Sequence, residues 1–226
     1  MTLKLENVQV SIQAAPILRG VSLEVGTGER MGLIGRNGAG KTTVMRTITG
    51  LANMASGKVF WNGEDISAMP PRERARLGFG YMPEDRRLVP DLTVEENMLL
   101  PAWVNDAIDG QKGLEFVYDL MPELSKMAPR KSLLLSGGQQ KMVALGRALI
   151  AGRRLLLLDE PFEGVAPALA MRISEVITSL KSEGLSVLIA QSELSHSREL
   201  LQRESVIERG EIVAVNVMDR SLLEKT

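Results

Sequence analysis

The stretch Gly35-Arg36-Asn37-Gly38-Ala39-Gly40-Lys41-Thr42-Thr43 constrains this chain more than any other. Its glycines let the backbone turn tightly, so that consecutive amide N–H groups point into one concavity, a nest for anions. Lys41 follows where an extended ammonium reaches the outer oxygens of a phosphate chain, and the Thr42 hydroxyl is suited to ligate Mg²⁺. The pattern, G-x-x-x-x-G-K-[ST], requires a strand before it and a helix after it. Arg30-Met31-Gly32-Leu33-Ile34 reads as a short buried strand, and Thr43 to Ile48 reads as a helix whose positive dipole end faces the same anion. A glycine-rich turn with a chance lysine would lack both flanks. Gly35, Asn37, Gly38, Ala39, Gly40, Lys41, Thr42 and Thr43 are therefore expected to hold the phosphates of a nucleotide.

Leu155-Leu156-Leu157-Leu158-Asp159-Glu160 is the second decisive stretch. An apolar strand ending in two carboxylates places Asp159 at the C-terminal edge of a sheet, beside the phosphate loop, where it can hold Mg²⁺. Glu160, one residue on, faces the terminal phosphate and can orient or deprotonate a water. A strand end with solvated acids is the plain alternative, and the preceding phosphate loop argues against it. Leu135-Ser136-Gly137-Gly138-Gln139-Gln140-Lys141 opens a helix with adjacent glycines, and is either a second anion-binding helix start or simply a capped one.

Between these stretches, Leu3, Leu5, Val8 and Val10, then Val21, Leu23 and Val25, alternate with polar residues as two strands of an antiparallel sheet. A strand over Gly57 to Asn62 ends in Asn62-Gly63, a hairpin signal, and Gly50 is expected to end the helix after Lys41. Pro70 to Arg74 starts a polar helix, and Gly78 to Met82 forms another strand. Thr93-Val94-Glu95-Glu96 is a capping box. Residues 93 to about 150 read as all helical, with breaks at Pro101, Pro122 and Pro129. Ala168 to Lys181 forms an amphipathic helix ending at Gly184, followed by a buried strand over Ser186 to Ala190. Arg209-Gly210 turns a closing hairpin, and the tail from Met218 reads as a short helix.

In their order and spacing, these motifs resemble the nucleotide-binding subunit of ATP-binding-cassette (ABC) transporters over nearly the whole chain. The resemblance implies an α/β fold: a P-loop NTPase (RecA-like) core with an antiparallel β subdomain and an all-helical insertion. A single domain over 1–226 is expected, with the core and its antiparallel part in 1–86 and 153–226 and the helical part in about 88–152. It also implies ATP and Mg²⁺ as cofactors, and a second ABC ATPase subunit bound head to tail, as a hetero- or homodimer. In that arrangement Ser136, Gly137, Gly138 and Gln139 bind the partner's γ-phosphate rather than the one held by this chain. Pro83-Glu84-Asp85-Arg86-Arg87, Leu92 to Asn97 and Gly164-Val165-Ala166-Pro167 further resemble the LivF-like ATPases of importers for branched-chain amino acids, urea and short amides. The partners so implied are integral-membrane permeases, docked through the Glu84 to Asn97 region with Arg86 and Arg87 assisting, and indirectly a periplasmic solute-binding protein.

Four positions depart from the general family pattern. Ile12 stands in the loop where an aromatic residue usually stacks on adenine, and Glu84 stands where a glutamine usually senses Mg²⁺. Gln191 is read as occupying the place of the switch histidine, able to donate to a γ-phosphate but not to shuttle a proton. Ala166 replaces an aspartate that bridges the two sites. The single histidine, His196, is assigned to the exposed face of a helix over Glu193 to Gln202, and Trp61, Trp103 and the methionines to core or interface packing.

Composition sets the remaining bounds. With 27 Lys plus Arg against 28 Asp plus Glu, no nucleic-acid partner is expected. The absence of cysteine excludes disulfides and thiolate metal sites, and it suits a reducing cytoplasm. No secretion signal opens the chain, and no apolar run nears the ~20 residues that span a bilayer. Location at the cytoplasmic face of the inner membrane, through a partner, is the resulting expectation. The competing functions are a non-transport ABC ATPase and a degenerate, regulatory nucleotide binder. A GTPase is disfavoured because no Asn-Lys-x-Asp motif occurs.

Overall fold

Period-two alternation makes β1 (Leu3–Ile12) and β2 (Ala15–Val25) one-sided strands, and they pair antiparallel in the computed structural model, which describes residues 3–192 and 199–218. Their hairpin turns through Gln13 and Ala14, both left-handed (φ 48° and 66°), as a two-residue turn demands even without glycine. β3 (Arg30–Ile34) and α1 (Lys41–Ile48) follow, then β4 (Ser56–Trp61) and β5 (Glu64–Asp65) around the left-handed pair Asn62-Gly63. These strands form a four-stranded sheet ordered β2-β1-β4-β5. α2 (Pro71–Arg76) and β6 (Phe79–Met82) lead into the helical region.

That region holds α3 (Val94–Val104), α4 (Gly110–Leu120), α5 (Pro122–Ser125) and α6 (Gly137–Ala151), and among the described residues it contains no strand. The capping box forms as read: Glu96 N donates to Thr93 Oγ1 at 3.1 Å while Glu96 Oε2 accepts from Thr93 N at 2.7 Å. Pro122 opens a helix, where its missing N–H is no loss. Pro101 does not break one. α3 runs through it, because Val94, Asn97 and Met98 are buried on its inner face, and that packing outweighs the lost backbone bond.

β7 (Leu155–Asp159), α7 (Pro167–Ser179), β8 (Ser186–Gln191), β9 (Arg203–Glu208) and β10 (Glu211–Val217) complete the chain. The central sheet is ordered β10-β9-β3-β8-β7-β6, parallel throughout except for β10. Both of its faces are covered, which is why its strands are continuous apolar runs. Leu155 and Leu157 pack with α1 and the antiparallel sheet, whereas Leu156 and Leu158 pack with α3, α6 and α7. Trp61 is buried edge-on against Phe79, with ring centroids 4.6 Å apart, but Trp103 is 54% exposed and is no core residue. His196 and most of its expected helix lie outside the described residues, as does the tail helix beyond Met218; residues 199–202 form a turn and bend.

α6 crosses β6 at a glycine contact. A Cβ on Gly80 would sit 2.0 Å from the Ala148 carbonyl oxygen and 2.8 Å from the Gly152 Cα. Backbone cannot yield as a side-chain tip can, so Gly80→Ala is expected to destabilise the fold by about 3 kcal/mol, read as a lowered midpoint in urea unfolding.

Candidate nucleotide site

Strand order assembles the site. β3, β8 and β7 are neighbours, with Ile34 paired to Gln191 and Ala190 to Asp159, so all three C-terminal ends meet at one edge. The phosphate loop leaves β3 there, and Asp159 and Glu160 leave β7. Gly38 (φ 81°) and Gly40 (φ 110°) adopt left-handed backbone, and Gly40 opens α1 without a side-chain cap, so the first amides of the helix face the loop's concavity. Gly35 is required for another reason, since a Cβ on it would lie 2.3 Å from the Ile207 carbonyl oxygen of β9.

Lys41 is buried within this loop. Its ammonium donates to Gly35 O at 2.6 Å, Arg36 O at 3.3 Å and Ser192 Oγ at 3.1 Å. It also pairs with Glu160 Oε1 at 3.0 Å. Glu160 is itself buried and left-handed (φ 48°), a conformation costing roughly 1 kcal/mol for a residue with a side chain. Several bonds hold it there. Its amide donates to Ala190 O at 2.8 Å, and its carbonyl accepts from Lys141 Nζ at 2.7 Å.

Ser192 was not among the expected site residues, yet it lies at the centre. Its hydroxyl oxygen is 2.6 Å from Glu160 Oε1 and 2.7 Å from Asn37 Oδ1, and its amide donates to Glu160 Oε2 at 3.2 Å. Gln191, read as the switch residue, is the last residue of β8, buried and paired with Ile34, with its carbonyl accepting from Gly35 N at 3.2 Å. The signal for Ser192 was its place immediately after the buried strand.

Asp159 has no exposed surface. Its Oδ2 accepts from the Tyr81 hydroxyl at 3.3 Å, while Oδ1 is buried without a hydrogen-bond partner. Thr42, Glu84 and Asp159 line one cavity with Tyr81 and Arg46. An orphaned carboxylate oxygen beside a hydroxyl and a second carboxylate fits a hard dication. Among the described residues no group of three or more His, Cys, Asp and Glu could hold a metal by itself.

Burial pushes the Asp159 carboxyl up to about 6 from an ordinary 3.8, with the nearby Glu84 charge adding to the rise and hydrogen bonds from the Thr42 and Tyr81 hydroxyls opposing it. A raised acid binds more protons in the folded state, so stability falls as pH rises from about 4 to about 6 and then levels. In Mg²⁺-free buffer, Asp159→Asn is expected to flatten that slope and to raise stability at pH 7 by roughly 2–3 kcal/mol. Urea titrations at several pH values measure both.

The remaining expected residues lie elsewhere. Ser136 Oγ accepts from Gln139 N at 3.3 Å and Gln139 Oε1 accepts from Ser136 N at 3.0 Å, a reciprocal cap on α6. The first amides of that helix, at Gly137 and Gly138, have no acceptor within it. Ser136, Gly138 and Gln139 line a groove with Gly164, Val165 and Ala166, distinct from the cavity around Asp159. Ile12 ends β1 half-exposed, on the hairpin whose second strand meets the phosphate loop where Leu18 packs on Gly40.

A glycine-rich loop between strand and helix, a strand-end carboxylate pair and a helical region carrying a second capped, glycine-rich helix start are the features of an ATP-hydrolysing cassette. The chain belongs to the ABC transporter family, whose profile matches residues 18–163. It is 39% identical over 196 residues to the high-affinity branched-chain amino acid transport ATP-binding protein BraG of Pseudomonas aeruginosa, covering 87% of this chain and 84% of that one. It is 35% identical over 217 residues to the lipopolysaccharide export system ATP-binding protein LptB of Haemophilus influenzae, covering 95% and 90%. A crystal structure of a nucleotide-free ATP-binding cassette from an ABC transporter superposes with a TM-score of 0.85 at 28% identity, covering 99% of this chain and 94% of that one. The chain is thus an ATPase, and cassettes of this family dimerise and work with membrane permeases.

Proposed function

We propose that this chain energises an importer for branched-chain amino acids or related small solutes, from the cytoplasmic face of the cell membrane. Among the described residues no helix is long and apolar enough to cross a bilayer, so attachment to permease subunits is the route. The observation that carries the hydrolytic reading is the convergence of Lys41, Glu160 and Ser192 at 2.6–3.1 Å in a buried pocket. Lys41 is held by Gly35 O at 2.6 Å and Glu160 Oε1 at 3.0 Å. A triphosphate offers it stronger acceptors. Its departure releases the Glu160 carboxylate to orient and deprotonate a water in line with the γ-phosphate. Ser192 then offers a hydroxyl that steadies this carboxylate, and Gln191 beside it is the residue for the switch position next to the γ-phosphate. Thr42, Glu84 and Asp159 would hold Mg²⁺, which when bound neutralises charge on the β- and γ-phosphates.

The separation of the Ser136–Gln139 groove from the Asp159 cavity supports a head-to-tail pair in which each site is completed by the other subunit's signature. A non-identical ATPase is the expected partner, with a homodimer as the other outcome. The solute assignment rests on the similarity to BraG; the similarity to LptB favours a second reading, as an exporter ATPase. Purifying the chain with its native membrane partners separates the two. Import is supported if ATP turnover in proteoliposomes rises with a soluble binding protein loaded with a branched-chain amino acid. Stimulation by a lipid substrate, without any binding protein, would support export.

A further inference from the structure

Lys141 is an unusual residue to find inside a protein. It sits one turn into α6 and is 5% exposed, and burial pulls its ammonium below the ordinary lysine range, partly offset by the Glu163 charge. Its ammonium is directed at backbone. It donates to Glu160 O at 2.7 Å and to Glu163 O, closing the loop that follows the catalytic carboxylate. Glu163 N also donates to Glu160 O, at 3.3 Å, so this carbonyl anchors a tight turn whose first residue is left-handed. Burying a lysine is costly unless its donors are used, and here they are spent on holding a strained backbone in place.

The other end of the same helical turn is the signature. Gly138 fits closely against α7, where a Cβ on it would lie 2.5 Å from Leu169 Cδ2, and the Gly137 carbonyl accepts from Arg86 Nη1 at 3.3 Å. Further along α6, Arg147 donates to the carbonyls of Arg86 and Arg87 at 2.5 and 2.7 Å, just past Glu84. α6 therefore grips the loops carrying both Glu84 and Glu160 while presenting its N-terminus outward. Small displacements of a packed helix are transmitted as rigid shifts rather than absorbed.

We propose that Lys141 is a positioning residue: it holds the turn that aims the Glu160 carboxylate, and through it the signature end of α6 is linked to this chain's own hydrolytic site. The link rests on the head-to-tail reading, in which the signature engages nucleotide held by the partner. Occupancy of one composite site then bears on carboxylate geometry in the other.

The test uses the intact transporter with Lys141→Met, which keeps the stem and removes the ammonium, and Lys141→Gln, which keeps one donor. For Lys141→Met, kcat is expected to fall about 10-fold to 100-fold. KM for ATP should stay within about 3-fold, because the phosphate loop is untouched. The Hill coefficient for ATP should drop toward 1, and Lys141→Gln should recover part of kcat. A folded Lys141→Met complex with kcat within 2-fold of the parent would overturn the proposal, as would a rise in KM that accounts for the whole loss. Should Lys141→Met fail to assemble, the same criteria apply to Lys141→Gln. Non-cooperative turnover by the parent complex would instead overturn the composite-site reading and the link to the signature, while the kcat and KM readout still judges the positioning of Glu160.

Discussion

Glu160→Gln is expected to lower ATP turnover by at least about 100-fold while leaving nucleotide binding intact or tighter. Glutamine has nearly the same shape as glutamate, and its amide oxygen can take the place of Oε1, which lies 2.6 Å from the Ser192 hydroxyl, although its NH2 group cannot accept from the Ser192 amide as Oε2 does at 3.2 Å. The charge does change. The ion pair to Lys41 at 3.0 Å is lost, so that ammonium is released more readily to phosphate, and the competing negative charge beside the γ-phosphate disappears. Chemistry and binding should therefore move in opposite directions. Steady-state turnover together with ATP titration calorimetry reads both. Turnover unchanged by the substitution would show that Glu160 is not the base.

Lys41→Ala should act on the other half of the same pair, weakening ATP binding by about 100-fold or more through loss of charge-assisted hydrogen bonds to phosphate. It also leaves Glu160, 6% exposed, buried without its cation, and removing one partner of a buried pair costs on the order of 3–5 kcal/mol. The two substitutions should therefore differ in the nucleotide-free protein. Lys41→Ala is expected to lower the melting temperature sharply, whereas Glu160→Gln should move it little, because a neutral amide beside Lys41 keeps an oxygen acceptor. Equal melting temperatures for the two variants would contradict the buried-pair account.

Much of the site was legible because its determinants are local. The glycine spacing of 35–40, the carboxylates closing an apolar strand, the capping boxes at Thr93 and Ser136 and the left-handed turns at Asn62-Gly63 and Arg209-Gly210 each depend on residues within one or two turns of chain. Pro101 misled for the opposite reason: its local penalty is real, but the buried face of α3 outweighs it. Ser192 was not anticipated. How close Ser192 comes to Glu160 depends on where β8 ends against β3 and β7, and no pattern within 186–192 states that register. Trp103 illustrates the same limit, since a tryptophan on an apolar helix gives no sign of which face remains unpaired.

By itself the sequence named the segments proposed to carry the chemistry: a glycine-rich loop with its lysine, two carboxylates closing an apolar strand and a second capped, glycine-rich helix start. These are properties of short segments, where hydrogen bonds and φ preferences act between near neighbours. Tertiary structure alone decided which of these segments meet. The strand order β3-β8-β7 brings Ser192 beside both Lys41 and Glu160, and the fold leaves the Ser136–Gln139 groove apart from them. It also turns Lys141 inward onto the Glu160 carbonyl. Burial is a property of the whole packed chain, so the contacts it imposes have no signature in any one stretch of residues.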